Sequence, residues 1–293
     1  MKNFWIAIGK ALLYLVLFFG VQMLVTIPLI ISDAFEAGLQ AAFSGEMINL
    51  DETISNVTAS LGDKIYMVTL ISSILTLVVL IVMFLVRKKN PIKEVQISAF
   101  KAGFILPVIL VAVSTQLLLA AIMSFVPFPQ TAIDSYINNI SLVTNKISVL
   151  SLISVGVLAP ITEEVIFRGL IFSRLRRGMP VYVAVIIQAV LFASLHVGIV
   201  WMLQVFVMGV IFALMTLKLG SIIPSIIAHM AVNVAGVLLN TLMPDELSDM
   251  TGYLILAVCA VVFVVSMFIM MKKGQPKVIE EPALEEQTVI EEI

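Results

Sequence analysis

Apolar residues fall in long runs along this chain, and runs of roughly 20 recur, each long enough as a helix to cross about 30 Å of hydrocarbon. Eight can be read, near 4–31, 65–86, 102–126, 147–173, 181–197, 198–217, 221–241 and 252–271. Lipid offers the backbone no hydrogen-bond partners, so only helices and closed barrels can span it. Barrel strands need a polar residue at every second position, and stretches such as Leu70 to Val86 lack that alternation. The pattern predicts an all-α, polytopic integral membrane helical bundle of about eight transmembrane helices.

Composition strengthens this reading, with 61% hydrophobic and 12% charged residues and a mean hydropathy of +1.13. A soluble fold could not hide that much apolar surface. Charge then sets the orientation. Of 17 lysines and arginines, all but Lys64, Lys146 and Arg168 fall on one side of the eight spans when the amino terminus is cytoplasmic. Both termini are therefore expected in the cytoplasm of a multi-pass cell-membrane protein.

Between the first two spans, residues 32–64 read as an acidic outside loop holding Asp33, Glu36, Glu46, Asp51, Glu52 and Asp63, with a short surface helix over Ala34 to Phe43. Asn56-Val57-Thr58 fits a glycosylation acceptor, but so short a pattern arises readily by chance. The tail Val278 to Ile293 is rich in glutamate and is expected to be a solvated, disordered cytoplasmic end. Cys259 is the single cysteine, which excludes a disulfide or cysteine metal cluster within one chain. No glycine-rich phosphate loop and no basic stripe interleaved with aromatics points to nucleotide or nucleic acid.

Against this apolar background the ionisable residues stand out. Between Asp134 and Asp245 the only acids are Glu163 and Glu164, and the only two histidines of the chain are His196 and His229. A charged side chain at the centre of a membrane helix costs about 2.5–3.5 kcal/mol on insertion scales, so such groups mark a polar site. Within Glu163-Glu164-Val165-Ile166-Phe167-Arg168, residues four apart share a helix face, so Glu164 and Arg168 can pair. Glu163 points elsewhere and is left to face water or a substrate. Taken alone, the pair with its arginine fits an interfacial helix cap.

Two further elements follow, Phe192-Ala193-Ser194-Leu195-His196 and His229-Met230-Ala231-Val232-Asn233. A lone histidine or asparagine in a membrane helix is ordinarily a packing or hydrogen-bonding residue. Their joint occurrence with the carboxylates, on three helices within about 70 residues, points to one site. A carboxylate with two imidazoles suits water activation, with the glutamate as general base or with the three as metal ligands. An asparagine amide and a second histidine could donate to an oxyanion, so amide hydrolysis is the reaction class that fits.

At these residues the sequence resembles the CPBP family of intramembrane endopeptidases, which includes the CAAX-prenyl endopeptidases and bacterial members linked to bacteriocin self-immunity and processing. The family pattern is a glutamate pair with an arginine four residues after the second, then phenylalanine-three-any-histidine, then histidine-three-any-asparagine or aspartate. It is matched by Glu163, Glu164 and Arg168, by Phe192 and His196, and by His229 and Asn233. The resemblance implies that Glu163 acts as general base with His196, that His229 and Asn233 form the oxyanion site or further ligands, and that Glu164 and Arg168 support the first helix. The family is described both as zinc metalloendopeptidases and as metal-independent glutamate enzymes. Glu163, His196 and His229 are the candidate Zn2+ ligands, leaving one open position of a tetrahedral site.

The chain then divides into amino-terminal helices with the acidic loop (1–145), a protease-like core (146–243), a last transmembrane helix (244–277) and the acidic tail (278–293). The expected substrate is a membrane-anchored or membrane-proximal peptide, and no nucleic acid is expected as partner. Buried glutamate and histidine also suit a proton-coupled transporter, although no duplicated pair of interrupted helices is visible. A non-catalytic bacteriocin-immunity protein is the third reading.

Overall fold

The computed structural model describes residues 2–44, 49–144, 147–242 and 249–273, which fold as a helical membrane bundle. The helices are α1 (Lys2–Ser44), α2 (Leu50–Val86), the single turn α3 (Pro91–Glu94), α4 (Ile105–Phe125) and α5 (Gln130–Thr144). They continue as α6 (Val149–Leu175), α7 (Val181–Ala193), α8 (Ile199–Leu219), α9 (Ile223–Leu242) and α10 (Asp249–Lys273). Glu46, Lys146, Asp245, Lys277 and the acidic tail 278–293 lie outside the described residues.

Among the described residues, six helices are long and apolar enough to cross a membrane, and two apolar ones are shorter, Val181–Ala193 and Ile223–Leu238. Each of the eight apolar runs carries a helix, but a count of eight full spans is not confirmed, because α7 has only 13 residues, reaching about 20 Å at 1.5 Å per residue, and the apolar part of α9 ends at Leu238. The apolar run of α7 continues to Val197, but the backbone leaves the helix at Ser194 and turns through Gly198 at φ 93°. Only glycine adopts that angle without strain.

The acidic loop between the first two spans is also redrawn. Residues 34–43 are no separate surface helix: α1 runs unbroken for 43 residues through Pro28, about 65 Å in length. Ser32 to Ser44 is rich in alanine with Glu36, Leu39 and Gln40, all good helix formers, so the helix continues where hydropathy falls. Asn49 then caps α2, its side chain accepting from the amides of Asp51 and Glu52. Lys64 and Asp33 form an ion pair at 2.7 Å that ties the two helices together.

Two apolar cores organise the bundle. One gathers α1, α2, α6 and α7 around Phe18, Phe84, Phe167, Phe172 and Phe192. The other gathers α4, α8, α9 and α10 around Val108, Phe212, Met215 and Met270. Helix α6 is central and heavily buried, whereas α1 and α10 turn most of their surface outward. In the last turn of α6, Arg174 is buried, pairs with Glu94 and lies with its guanidinium 5.9 Å from the Tyr14 ring. Close approach requires Gly169, where a Cβ would come within 2.9 Å of the Val95 carbonyl oxygen.

Candidate active site

Helix α6 carries the carboxylates and is irregular around them. Two π-helical stretches, Leu152–Leu158 and Val165–Phe172, flank the α-helical turn Ala159–Glu164. Pro160 explains the first, because it has no N–H to complete an i→i−4 bond and its ring crowds the preceding turn. The ladder widens there, and the Ala159 amide bonds the Ser154 carbonyl five residues back. The next acceptor, Val155 O, would look to residue 160, which has no hydrogen to give. Asn233 of α9 supplies it, its Nδ2 donating to Val155 O at 2.8 Å. Such local widening is common at functional sites.

Behind the site lies a sealed charge cluster. Arg168 Nη1 donates to Glu164 Oε1 at 2.7 Å, and neither side chain is exposed. His229 Nδ1 reaches the same Glu164 oxygen at 2.9 Å, so one carboxylate oxygen joins α6 to α9. Arg168 Nη2 also donates to the Gly209 carbonyl at 3.4 Å. The guanidinium sits over Phe192 at 4.3 Å and Phe212 at 5.3 Å from the ring centroids. Both rings also pack against the His229 imidazole, so its plane and its partner are fixed together.

In front of this cluster is a cavity of about 210 Å³. Glu163, His196, His229 and Asn233 all line it. Glu163 keeps 21% of its side chain exposed, and its Oε2 is 3.7 Å from His229 Nε2. The two carboxylates of one helix thus differ completely in setting, one sealed against arginine and one facing open space. His196 lies in the turn after α7, edge-on to Phe192 and Trp201, with Nδ1 3.3 Å from the Phe192 carbonyl.

Each imidazole therefore has Nδ1 on an oxygen acceptor. In the neutral ring that places the hydrogen on Nδ1 and the lone pair on Nε2. Histidines that bind metal are commonly held in this way. The three candidate ligands nevertheless do not converge here: among the described residues no group of three or more histidine, cysteine, aspartate or glutamate side chains could hold a metal ion. Glu163, His196 and His229 share a cavity without forming a coordination shell.

Asn233 is committed to the π turn through one amide hydrogen and keeps a second. Replacing it with leucine strands the Val155 carbonyl, and Asn233→Leu is expected to destabilise the fold by about 1–3 kcal/mol. Thermal unfolding in detergent measures this, with an unchanged transition ruling out the hydrogen bond as a structural tie.

Several residues that complete the site carry no motif. Gln188 is fully buried and donates through Nε2 to the Gly209 carbonyl at 2.9 Å, sharing that acceptor with Arg168. Thr69, Gln116 and Thr144 come to the cavity from α2, α4 and α5. Gln188 and Gln116 are amides inside apolar helices, the kind of signal that could have pointed to them. The others are ordinary residues until the helices are assembled.

Fold and cavity define a membrane-embedded helical protein whose polar groups converge in the interior of the bundle. Residues 145–235 match a family model described as type II CAAX prenyl endopeptidase, Rce1-like. The matched segment contains all six candidate residues, so the likeness falls on the part of the chain that carries their motifs. No curated protein and no solved structure gives a significant match.

Proposed function

We propose that the chain is an intramembrane endopeptidase that hydrolyses a peptide bond in a membrane-associated protein or peptide, with Glu163 as general base. The observation that carries this reading is the division of labour between the paired carboxylates. Glu164 is buried on Arg168 and His229, while Glu163 lines a cavity with both imidazoles.

Glu163 Oε2 and His229 Nε2, 3.7 Å apart, are close enough to accept hydrogen bonds from one water. Glu163 takes a proton as the water oxygen adds to the scissile carbonyl carbon. The remaining amide hydrogen of Asn233, which lines the same cavity, donates to the oxyanion. As the tetrahedral carbon collapses, the C–N bond breaks and Glu163 returns the proton to the departing amine, leaving a carboxylic acid and an amine. His196, which lines the same cavity, assists, and Glu164 fixes the ring and tautomer of His229. The enclosure keeps bulk water from screening these contacts.

The scheme draws its proton transfers from Glu163 alone, with the imidazoles and the Asn233 amide as hydrogen-bond partners. The lysine and arginine distribution supports cytoplasmic amino and carboxyl termini, and an approach of substrate from the side of the arginine-rich segment after α6. The test is cleavage of membrane-anchored peptides by purified protein in liposomes, with and without a zinc chelator and with metal analysis of the same preparation. Cleavage is expected to survive chelation in metal-free protein. Loss of cleavage that added zinc restores would replace the glutamate scheme with a metal-dependent one, and absence of cleavage across an anchored-peptide library would reject the enzyme.

A further inference from the structure

The cavity extends beyond the catalytic groups along one face of α9, where His229, Val232, Asn233, Gly236 and Val237 line it in sequence. Gly236 is the unexpected member. A glycine inside a helix costs about 0.5–1 kcal/mol relative to alanine. In a membrane helix that cost is ordinarily offset by close approach of a neighbouring backbone. Gly236 has no such neighbour, because a Cβ built there would meet nothing within 4 Å. Gly209, by contrast, does show tight packing: its Cβ would lie 3.1 Å from Ala189.

Neither backbone conformation nor packing accounts for a glycine at 236: no positive φ occurs there, and the space beside it belongs to the cavity. One turn from Asn233 and two turns from His229 on the same face, that space adjoins the proposed site of bond cleavage. The lining of the same cavity includes side chains from outside the family-matched segment, among them Ile140 and Val143 of α5 and Gln116 of α4.

We propose that Gly236 is a specificity-determining residue, reserving room for a bulky apolar side chain of the peptide substrate beside the scissile bond. This rests on the endopeptidase reading and assigns its selectivity to α9 together with α4 and α5. Isoleucine and valine offer apolar contact to such a side chain. Helix α5 packs against α8 and α9 on that side of the cavity.

The experiment uses the full chain in liposomes with Glu163→Gln, so that binding is read without turnover. The probes are membrane-anchored peptides carrying a photoreactive leucine or phenylalanine analogue at successive positions. Capture on α9 is expected, and Gly236→Leu in the same background is expected to reduce capture of the bulky probes roughly tenfold to a hundredfold, the range for lost space in an apolar pocket. Gly236→Ala is the folding control, since it removes the helix penalty and meets no neighbour. In parallel, with Glu163 intact, Gly236→Leu should shift cleavage toward peptides with alanine at the captured position. Equal capture with and without the Gly236→Leu substitution overturns the proposal even if cleavage proceeds, as does the absence of capture of any bulky probe. Capture that Gly236→Leu blocks sustains the subsite even if no peptide is cleaved, which separates it from the enzyme reading.

Discussion

Glu163→Gln is expected to lower peptide hydrolysis by about 10²- to 10⁴-fold, the contribution of a positioned general base, with little change in thermal stability. Glutamine keeps the size and shape of the side chain but cannot take a proton from water. Glu163 lies in the open cavity, near His229 Nε2 but outside the sealed ion pair, so its neutral replacement strands no buried charge. Glu164→Gln is the informative contrast. It removes the charge that Arg168 and His229 share, so activity and stability should fall together. Turnover of anchored peptides and thermal unfolding, measured on both variants, separate the roles. Equal cleavage by wild type and Glu163→Gln would remove Glu163 from the chemistry.

The sequence exposed these residues because polar groups in an apolar chain are energetically conspicuous. Two adjacent acids, one arginine and two histidines surrounded by leucine, valine and isoleucine are costly unless they meet one another. The i,i+4 spacing further separated Glu164 from Glu163, since only one of two neighbours can share the arginine's face. Backbone-dependent features were less legible. The apolar run was read as far as Val197, so the early end of α7 at Ala193 and the placement of His196 in a turn were hidden. Residues 32–44 read as the start of an outside loop with its own short helix over 34–43 because hydropathy falls there, although their helix propensity carries α1 through them.

The role of Asn233 depended on Pro160, 73 residues earlier, leaving a carbonyl without its ladder partner. Spacing within a motif cannot show that relation. Gln188 and Gly209 became part of the site only once α7 and α8 packed closely enough to present one carbonyl to both Gln188 and Arg168. The cavity wall from α2 and α5 likewise required tertiary structure, because Thr69 and Thr144 are unremarkable in sequence.

The largest effect on stability is expected at Arg168. Its charge is fully buried, paired with Glu164 at 2.7 Å, and held over two aromatic rings. Arg168→Met preserves much of the apolar stem and contact with Phe192 and Phe212 but strands the Glu164 carboxylate, with only His229 left to bond Oε1. Removing one partner of a buried ion pair costs about 3–5 kcal/mol, whereas replacing both can be close to neutral. Arg168→Met combined with Glu164→Gln should therefore be much less destabilised than the sum of the single variants, a coupling that thermal or denaturant unfolding measures. Stability and function should then diverge: the double variant recovers its fold but not its turnover, because glutamine no longer gives His229 Nδ1 a carboxylate to bond. Recovery of both would mean that the Arg168 and Glu164 charges serve folding alone, and strictly additive losses would mean that the pair contributes no coupling across α6.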